Sequence, residues 1–511
     1  MSDLSTRTEL RTYRGPADSG EPRLNALPGL RRPKTDPPQV LETERYDTDD
    51  RRLAAAEIAL AVRRGDPTAP PQWQLDLPDR GGRERLRVPI PPDDVAAPTL
   101  PAELDELIRA VTRGQPVHPA AQVRAVRTVI RLRGTEGKTP LAELVHERLT
   151  VASMGATTEL ATWTEVELRT EAGAPVEEIE QRLIEAGLSP GEPAAEAELD
   201  RLLRPVPRVS RAGRPGSAGA ALVGYLSTHT DRLAAEELRV RRNEPDSVHQ
   251  LRVACRRMRS ALQAFRPLLD RDRTDPVISD LREFAGELSP ARDAEVLNER
   301  ISGALAALEP ELRLGPVQAQ VTRHFARTEA EAGAAVLSAL DGERYARLRT
   351  ALEELVTDPP LTKRARRAAT AELPRQVART ARRLERTVEI AIDPEQEAEH
   401  RDLAVHDARK AGKRLRYATE VARPDVGEEA VRFAKAMKGF QTALGEHQDT
   451  VVAREALREL AGQAHVAGEN GFSFGILHAR DAALAARIEE QLPELWASAW
   501  TPRNRRWLDG S

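Results

Sequence analysis

VHQLRVACRRMRSAL at residues 248–262 and VHDARKAGKRLRYAT at residues 405–419 are two copies of one pattern. LREFAGELSPARDAEV at 281–296 and MKGFQTALGEHQDTVV at 437–452 form a second such pair. The first pair is offset by 157 positions and the second by 156, so both belong to a single duplication. Ala/Leu/Arg/Glu segments at helical spacing surround the copies almost to the C-terminus. This predicts an all-α domain of two repeated sets of antiparallel helices, packed about a pseudo-two-fold axis.

Inside the copies the charges recur at fixed places. His249, Arg252, Arg256 and Arg259 sit at relative positions 0, 3, 7 and 10, and His406, Arg409, Lys413 and Arg416 repeat those offsets. On a helix each set falls within about 80° of arc, a narrow basic stripe. Leu251, Met258 and Leu262 take the opposite face, as do Ala408 and Leu415 in the second copy. The apolar side is expected in the bundle, and the stripe facing outward or into a shared channel. Arg257 and Arg414 widen the two clusters, and Lys435, Lys438 and Arg282, the repeat-equivalent of Lys438, offer a further basic edge.

A basic stripe is ordinarily a solvated face, but such faces mix Glu with Lys at i,i+4 spacing. The motif helices show no acidic partner on the stripe, and the density appears twice, which points to a bound anion. Clustered guanidinium groups favour phosphate, whose oxygens match their planar fork. The leading histidines can cap, pack or donate to phosphate oxygens. Asp293 and Asp449, at matching positions, are expected to hold arginines in place.

Bulk properties bound the rest. A chain of 511 residues exceeds one core, with about two to four domains expected. The net charge of −4 means that any anion site comes from local clustering. The single cysteine, Cys255, excludes internal disulfides and multi-Cys metal sites. The opening MSDLSTRTELRTYRG lacks the apolar core of a signal peptide, and no run reaches membrane-spanning length, so a cytoplasmic protein without a membrane partner is expected. At 3% aromatic residues the chain shows no stacking platform for bases, so nucleic acid is not an expected partner.

Residues 204–219, RPVPRVSRAGRPGSAG, read as a flexible linker. The expected organisation is α+β in two domains: an antiparallel β-barrel over 1–203, the linker, and a duplicated helical bundle over 220–505. Before the linker lie ALAVRR, QWQLDLP, RLRVPI, RTVIRLR, LAELVHERLTVAS and WTEVELRT, short β-rich runs broken by Pro and Gly. Arg127, Val129, Arg131 and Arg133 alternate with Ile130 and Leu132, the period-two pattern of an antiparallel sheet. Helices are expected near PAELDELIRAVTRG and PVEEIEQRLIEAG.

The paired VHxxRxxxxRxR helices, ARDAEVL, GEHQDTVVARE and the late GFSFGILHAR resemble the CHAD family, the conserved histidine α-helical domain, over roughly residues 215–505. The resemblance implies a double helical bundle whose basic surface binds inorganic polyphosphate without a cofactor, often on polyphosphate granules. By motif position His249, Arg252, Arg256, Arg257, Arg259, His406, Arg409, Lys413, Arg414 and Arg416 would carry that role.

YDTDDRRLAAAEIALAVRR, WQLDLP, RLRVPI, VRAVRTVIRLR and WTEVELRT resemble the CYTH family of triphosphate-tunnel proteins, over roughly residues 5–200. That resemblance implies a closed barrel with basic residues on a triphosphate and carboxylates on a divalent metal, Mg²⁺ or Mn²⁺. Arg63, Arg64, Arg127 and Arg131 would be residual triphosphate ligands, with Glu143 and the metal-side pair Glu165 and Glu167. The family's opening Glu-x-Glu-x-Lys has no counterpart in TELRTY, which offers only Glu9 and Arg11, and the expected strand lysine is Asp76. The barrel therefore reads as non-catalytic, with a metal-dependent triphosphatase or polyphosphatase, rescued by Glu9, Glu42 or Glu44, as the alternative.

Overall fold

The computed structural model describes residues 9–25, 27–79, 82–135, 139–154, 159–204, 211–395 and 398–509. The chain divides into two compact units, Met1–Arg208 and Val209–Ser511.

The first unit is a ten-stranded antiparallel sheet. Its strands are β1 (Glu9–Pro16), β2 (Lys34–Thr35), β3 (Gln39–Asp47), β4 (Ala59–Arg64), β5 (Gln72–Asp79), β6 (Gly82–Pro89), β7 (His118–Arg133), β8 (Pro140–Ser153), β9 (Leu160–Thr170) and β10 (Ser189–Pro190). Four helices accompany them: α1 (Arg52–Ala55), α2 (Ala102–Thr112), α3 (Val176–Glu185) and α4 (Ala195–Leu202). The ladder runs β10-β1-β9-β8-β7-β3-β4-β5-β6, with β2 on β7, and among the described residues no pairing joins the β10 and β6 edges.

The expected alternation sorts the two faces of β7, β8 and β9. Ile130, Leu132, Ala142, Leu144, Val166 and Leu168 are buried together with Ile179 and Leu183 of α3. The alternate positions place Arg127 opposite Glu147, Arg131 opposite Glu143, and Glu147 opposite Glu165. A strand with its apolar set on one side must carry its charges on the other.

The second unit is all-helical: α5 (Ala218–Arg241), α6 (Ser247–Ala264), α7 (Arg271–Glu287), α8 (Ser289–Ala306), α9 (Val317–Asp341), α10 (Glu343–Thr357), α11 (Ala369–Ala391), α12 (Ala398–Val426), α13 (Glu428–Val466), α14 (Phe472–Ala499) and α15 (Pro502–Asp509). The motif helices α6 and α12 pack against each other. Leu251, Met258, Leu262, Ala408 and Leu415 are all buried in one core shared by both repeats, as their spacing predicts. No helix among the described residues is long and apolar enough to cross a membrane.

Two details differ from the expected organisation. Residues 205–210 of the expected linker lie outside the described residues. From Arg211 onward the chain is tied down: the Arg211 amide donates to the Thr357 carbonyl at 3.0 Å, and α5 starts at Ala218, capped by the Ser217 hydroxyl accepting from the Ala220 amide. The second repeated motif also folds differently in its two copies. In the first it is broken between α7 and α8, where Pro290 follows Ser289; in the second, Glu446 takes the place of Pro290 and α13 runs unbroken for 39 residues. Proline lacks the amide hydrogen that a continuing helix needs and is accepted in a first turn.

Leu415 is fully buried between the repeats. Leu415→Ala should therefore destabilise the helical unit by about 2–5 kcal/mol, read by chemical denaturation followed by far-UV circular dichroism.

Candidate anion-binding site

Because α6 and α12 pack together, their stripes become neighbours. Arg256 donates to the Tyr417 hydroxyl at 3.0 Å, across the two repeats. Arg257 reaches Glu420 of the other repeat at 3.3 Å and stacks its guanidinium 5.7 Å from the Tyr417 ring centre. Lys413 lies within electrostatic reach of Arg409, Arg256 and Arg252. Arg259 is close to Arg256 and Arg282, and Arg414 to Arg259. The structure thus gathers Arg252, Arg256, Arg257, Arg259, Arg282, Arg409, Lys413 and Arg414 into one basic tract.

Two arginines of the tract are anchored in matched fashion. Arg252 pairs with Asp293 at 3.1 Å and Arg409 with Asp449 at 3.6 Å, the same pair made once in each repeat. Arg252 also donates to the Ser289 carbonyl at 3.3 Å. His406 bonds through Nδ1 to Gln448. His249 instead faces Arg292, the repeat-equivalent of Gln448, and burial together with that guanidinium lowers its pKa.

Beside these anchors cations outnumber carboxylates. Among the described residues no carboxylate forms an ion pair with Arg256, Arg259, Arg282, Lys413 or Arg414, although Asp449 lies within electrostatic reach of Lys413. Burial, and then the neighbouring arginines Arg409 and Arg256, push Lys413 down to about 7. Arg259 is lowered by burial and then by Arg256 and Arg282; Arg414 is lowered by burial and then by Arg383, Arg259 and Arg266. The buried Nε atoms of Arg409 and Arg414 have no hydrogen-bond partner. Half-buried cations that repel one another, with donors to spare, form a cradle for an anion.

Two expectations differ from the structure. The stripe does have an acidic partner on its own helix, because Glu420 sits one turn after Arg416 and binds it at 3.2 Å. Arg416 thus shares Glu420 with Arg257 and lies 5.8 Å from the centre of the Tyr417 ring. Lys435 and Lys438 are exposed on α13, and among the described residues no interaction ties them to the stripes. Arg383 and Arg266 were not singled out from the sequence, since neither lies in a repeated motif.

A separate group joins Asp402, His447 and Glu489. The buried His447 Nε2 is 2.8 Å from Glu489 and 3.5 Å from Asp402. Arg454 and Arg401 sit on the two carboxylates at 3.5 and 3.7 Å, which balances their charge.

Of the residues expected for triphosphate and metal in the first unit, Arg63, Arg127, Arg131, Glu143 and Glu165 share one face of the sheet, but most are already engaged by protein partners. Arg127 is bound to Glu147 at 2.6 Å, Arg131 to Glu143 at 2.9 Å and also to Asp36. Arg63 and Arg64 point to opposite sides of β4: Arg63 donates to Gln74 at 3.3 Å, while Arg64 pairs with Glu44 at 2.9 Å. Glu165 is buried and accepts from the Trp163 indole at 2.6 Å and the Ala194 amide at 2.7 Å. Glu167 pairs with Arg169 at 3.1 Å. A metal at these carboxylates would have to share or displace those partners. Asp76 is held by both Arg85 nitrogens at 2.8 and 2.9 Å; burial raises its carboxyl, but the Arg85 and Gln74 bonds outweigh this and hold it below the usual range.

The CHAD domain model of protein families matches residues 224–458, which contain both stripes. The uncharacterized proteins MT2285 and Rv2226 of two Mycobacterium tuberculosis strains are each 32% identical over 491 residues, 92% of this chain and 92% of theirs. The chain belongs to the CHAD family. Its helical unit is similar to PptA from Streptomyces chartreusis (23% identity, 55% of this chain and 99% of that one, TM-score 0.46). It is also similar to the CHAD domain from Ricinus communis (23% identity, 57% of this chain and 95% of that one, TM-score 0.45). A further similarity, at 19% identity over 39% of this chain and 97% of the other, is to the putative adenylyl cyclase HpAC1 from Hippeastrum, described as having a dominant triphosphatase activity (TM-score 0.23).

The charge state of Lys413 gives the CHAD tract a measurable signature. Its folded pKa, about 7, lies below the ordinary lysine value that the unfolded chain retains. From about pH 7 up to the lysine range the unfolded state therefore binds more protons, and stability rises with pH across that window. Lys413→Met should remove this rise and stabilise the anion-free protein most at pH 6 and below, as read by denaturation midpoints at a series of pH values in phosphate-free buffer.

Proposed function

We propose that this protein binds inorganic polyphosphate along the joined stripes of α6 and α12. The observation that carries this is the succession of cations from Lys413 and Arg256 through Arg259 to Arg282 and Arg414, none of them in an ion pair with a carboxylate among the described residues. A polyphosphate chain offers one anionic unit after another, which matches a linear tract better than a compact anion does. Its oxygens would accept from the spare guanidinium nitrogens and restore the charge of Lys413. A cytoplasmic location, with recruitment to polyphosphate granules, follows from the same reading.

We further propose that the sheet unit does not hydrolyse phosphoanhydrides. Arg64, Arg127 and Arg131 are each paired with a carboxylate, and Glu165 and Glu167 are each held by a donor, so a triphosphate and a metal would both have to displace existing partners. Phosphate release from tripolyphosphate with Mg²⁺, then Mn²⁺, should be absent. Metal-dependent turnover abolished by Glu165→Gln or Glu167→Gln would overturn this part.

Binding is tested on the full chain by titration with long-chain polyphosphate. Affinity should fall steeply with salt, by about a thousandfold between roughly 50 and roughly 200 mM if six or more phosphate contacts form. Arg256→Glu should weaken binding by about tenfold or more, since reversal replaces an attraction by a repulsion. An affinity indifferent to salt, or no binding by the wild type, would overturn the proposal.

A further inference from the structure

The α6–α12 tract does not end at the motif helices. On α11, Arg375, Arg379, Arg382, Arg383 and Arg386 are all exposed. At helical spacing they share about 100° of arc. Leu373, Val377, Ala381, Leu384 and Val388 occupy the opposite side and are buried in the common core. The helix is thus amphipathic, with five arginines against two acids, Glu385 and Glu389, over the polar side from Arg375 to Glu389. Solvated faces usually set acids one turn from their bases, yet among the described residues no carboxylate pairs with any of these five arginines.

Their position is the second observation. α11 packs along α12, and Arg414 lies within electrostatic reach of Arg383 and Arg266 as well as Arg259. Arg379 in turn lies within reach of Arg266, Arg364 and Arg382. An unbroken succession of like charges therefore runs from Arg256 and Arg259 through Arg414 and Arg383 to Arg379 and Arg382. Of its flanking members, Arg266 is paired with Asp275 at 3.0 Å and Arg364 is bound to Glu372. The six guanidinium groups in the succession itself have no carboxylate. Arg375 to Arg386 alone adds roughly 16 Å of helix length.

We propose that the arginine face of α11 is a second segment of the polyanion track, continuous with the paired stripes, which a long polyphosphate chain occupies and a short one does not reach. This rests on the polyphosphate reading above and adds chain-length selectivity to it. A tripolyphosphate fills the centre, where the cations are most desolvated. A longer chain continues over Arg414 and Arg383 onto α11, and each further contact releases counterions.

The test compares tripolyphosphate with long-chain polyphosphate on the full chain, as wild type and as the double variant Arg379→Gln/Arg382→Gln. Both residues are exposed, so the fold should tolerate the change. Long-chain affinity should fall by about tenfold, and its dependence on the logarithm of salt should become shallower by roughly 1.5. Tripolyphosphate affinity should change by less than about twofold, since α11 adds nothing to a ligand confined to the centre. Unchanged long-chain affinity, or equal losses for both ligands, would overturn the second segment while leaving the central site intact. A wild type that binds neither ligand would instead overturn the polyphosphate reading, and the second segment with it.

Discussion

Like charges held together at the contact of α6 and α12 are the constraint on which the helical unit's chemistry depends. Two unit charges about 4 Å apart near a protein surface repel by about 4 kcal/mol, so such a row persists only if something else fixes the helices. Here the fixing is apolar. Leu251, Met258, Leu262, Ala408 and Leu415 bury the backs of both helices in one core, and that burial does not depend on the charge in front. The matched pairs Arg252–Asp293 and Arg409–Asp449 fix two of the arginines. What remains is a set of cations whose repulsion a bound anion would relieve.

The first unit treats charge in the opposite way. Its sheet also carries arginines at positions suited to phosphate, yet the register sets Arg127 against Glu147 and Arg131 against Glu143. Asp76, standing where a lysine would complete a triphosphate site, captures Arg85. One unit stores uncompensated positive charge and the other cancels it, although both are rich in arginine. Composition alone therefore says little about anion binding; the partner of each guanidinium decides it.

That distinction also marks what could be read from the sequence. The duplication, the stripes, their apolar backing and the roles of Asp293 and Asp449 were legible, because helical spacing places such residues on known faces whatever the tertiary fold. The strands from β4 to β9 were legible through their alternation. The cancelled charges of the sheet were not, because Arg131 meets Glu143 only through a strand register that no local pattern states. The pairing of Arg416 with Glu420 is readable at i,i+4 spacing, but Glu420 lies beyond the repeated pattern. The arginine face of α11 likewise belongs to neither repeated motif.

The central claim is that the two repeats build one site, and a binding double-mutant cycle on the full chain tests it most directly. Arg256→Gln lies in one repeat and Lys413→Gln in the other, and each would be measured alone and together against long-chain polyphosphate. A shared site requires the combined loss to differ from the sum of the single losses by about 1 kcal/mol or more. Losses that add to within about 0.5 kcal/mol would mean two independent surfaces and would contradict the account.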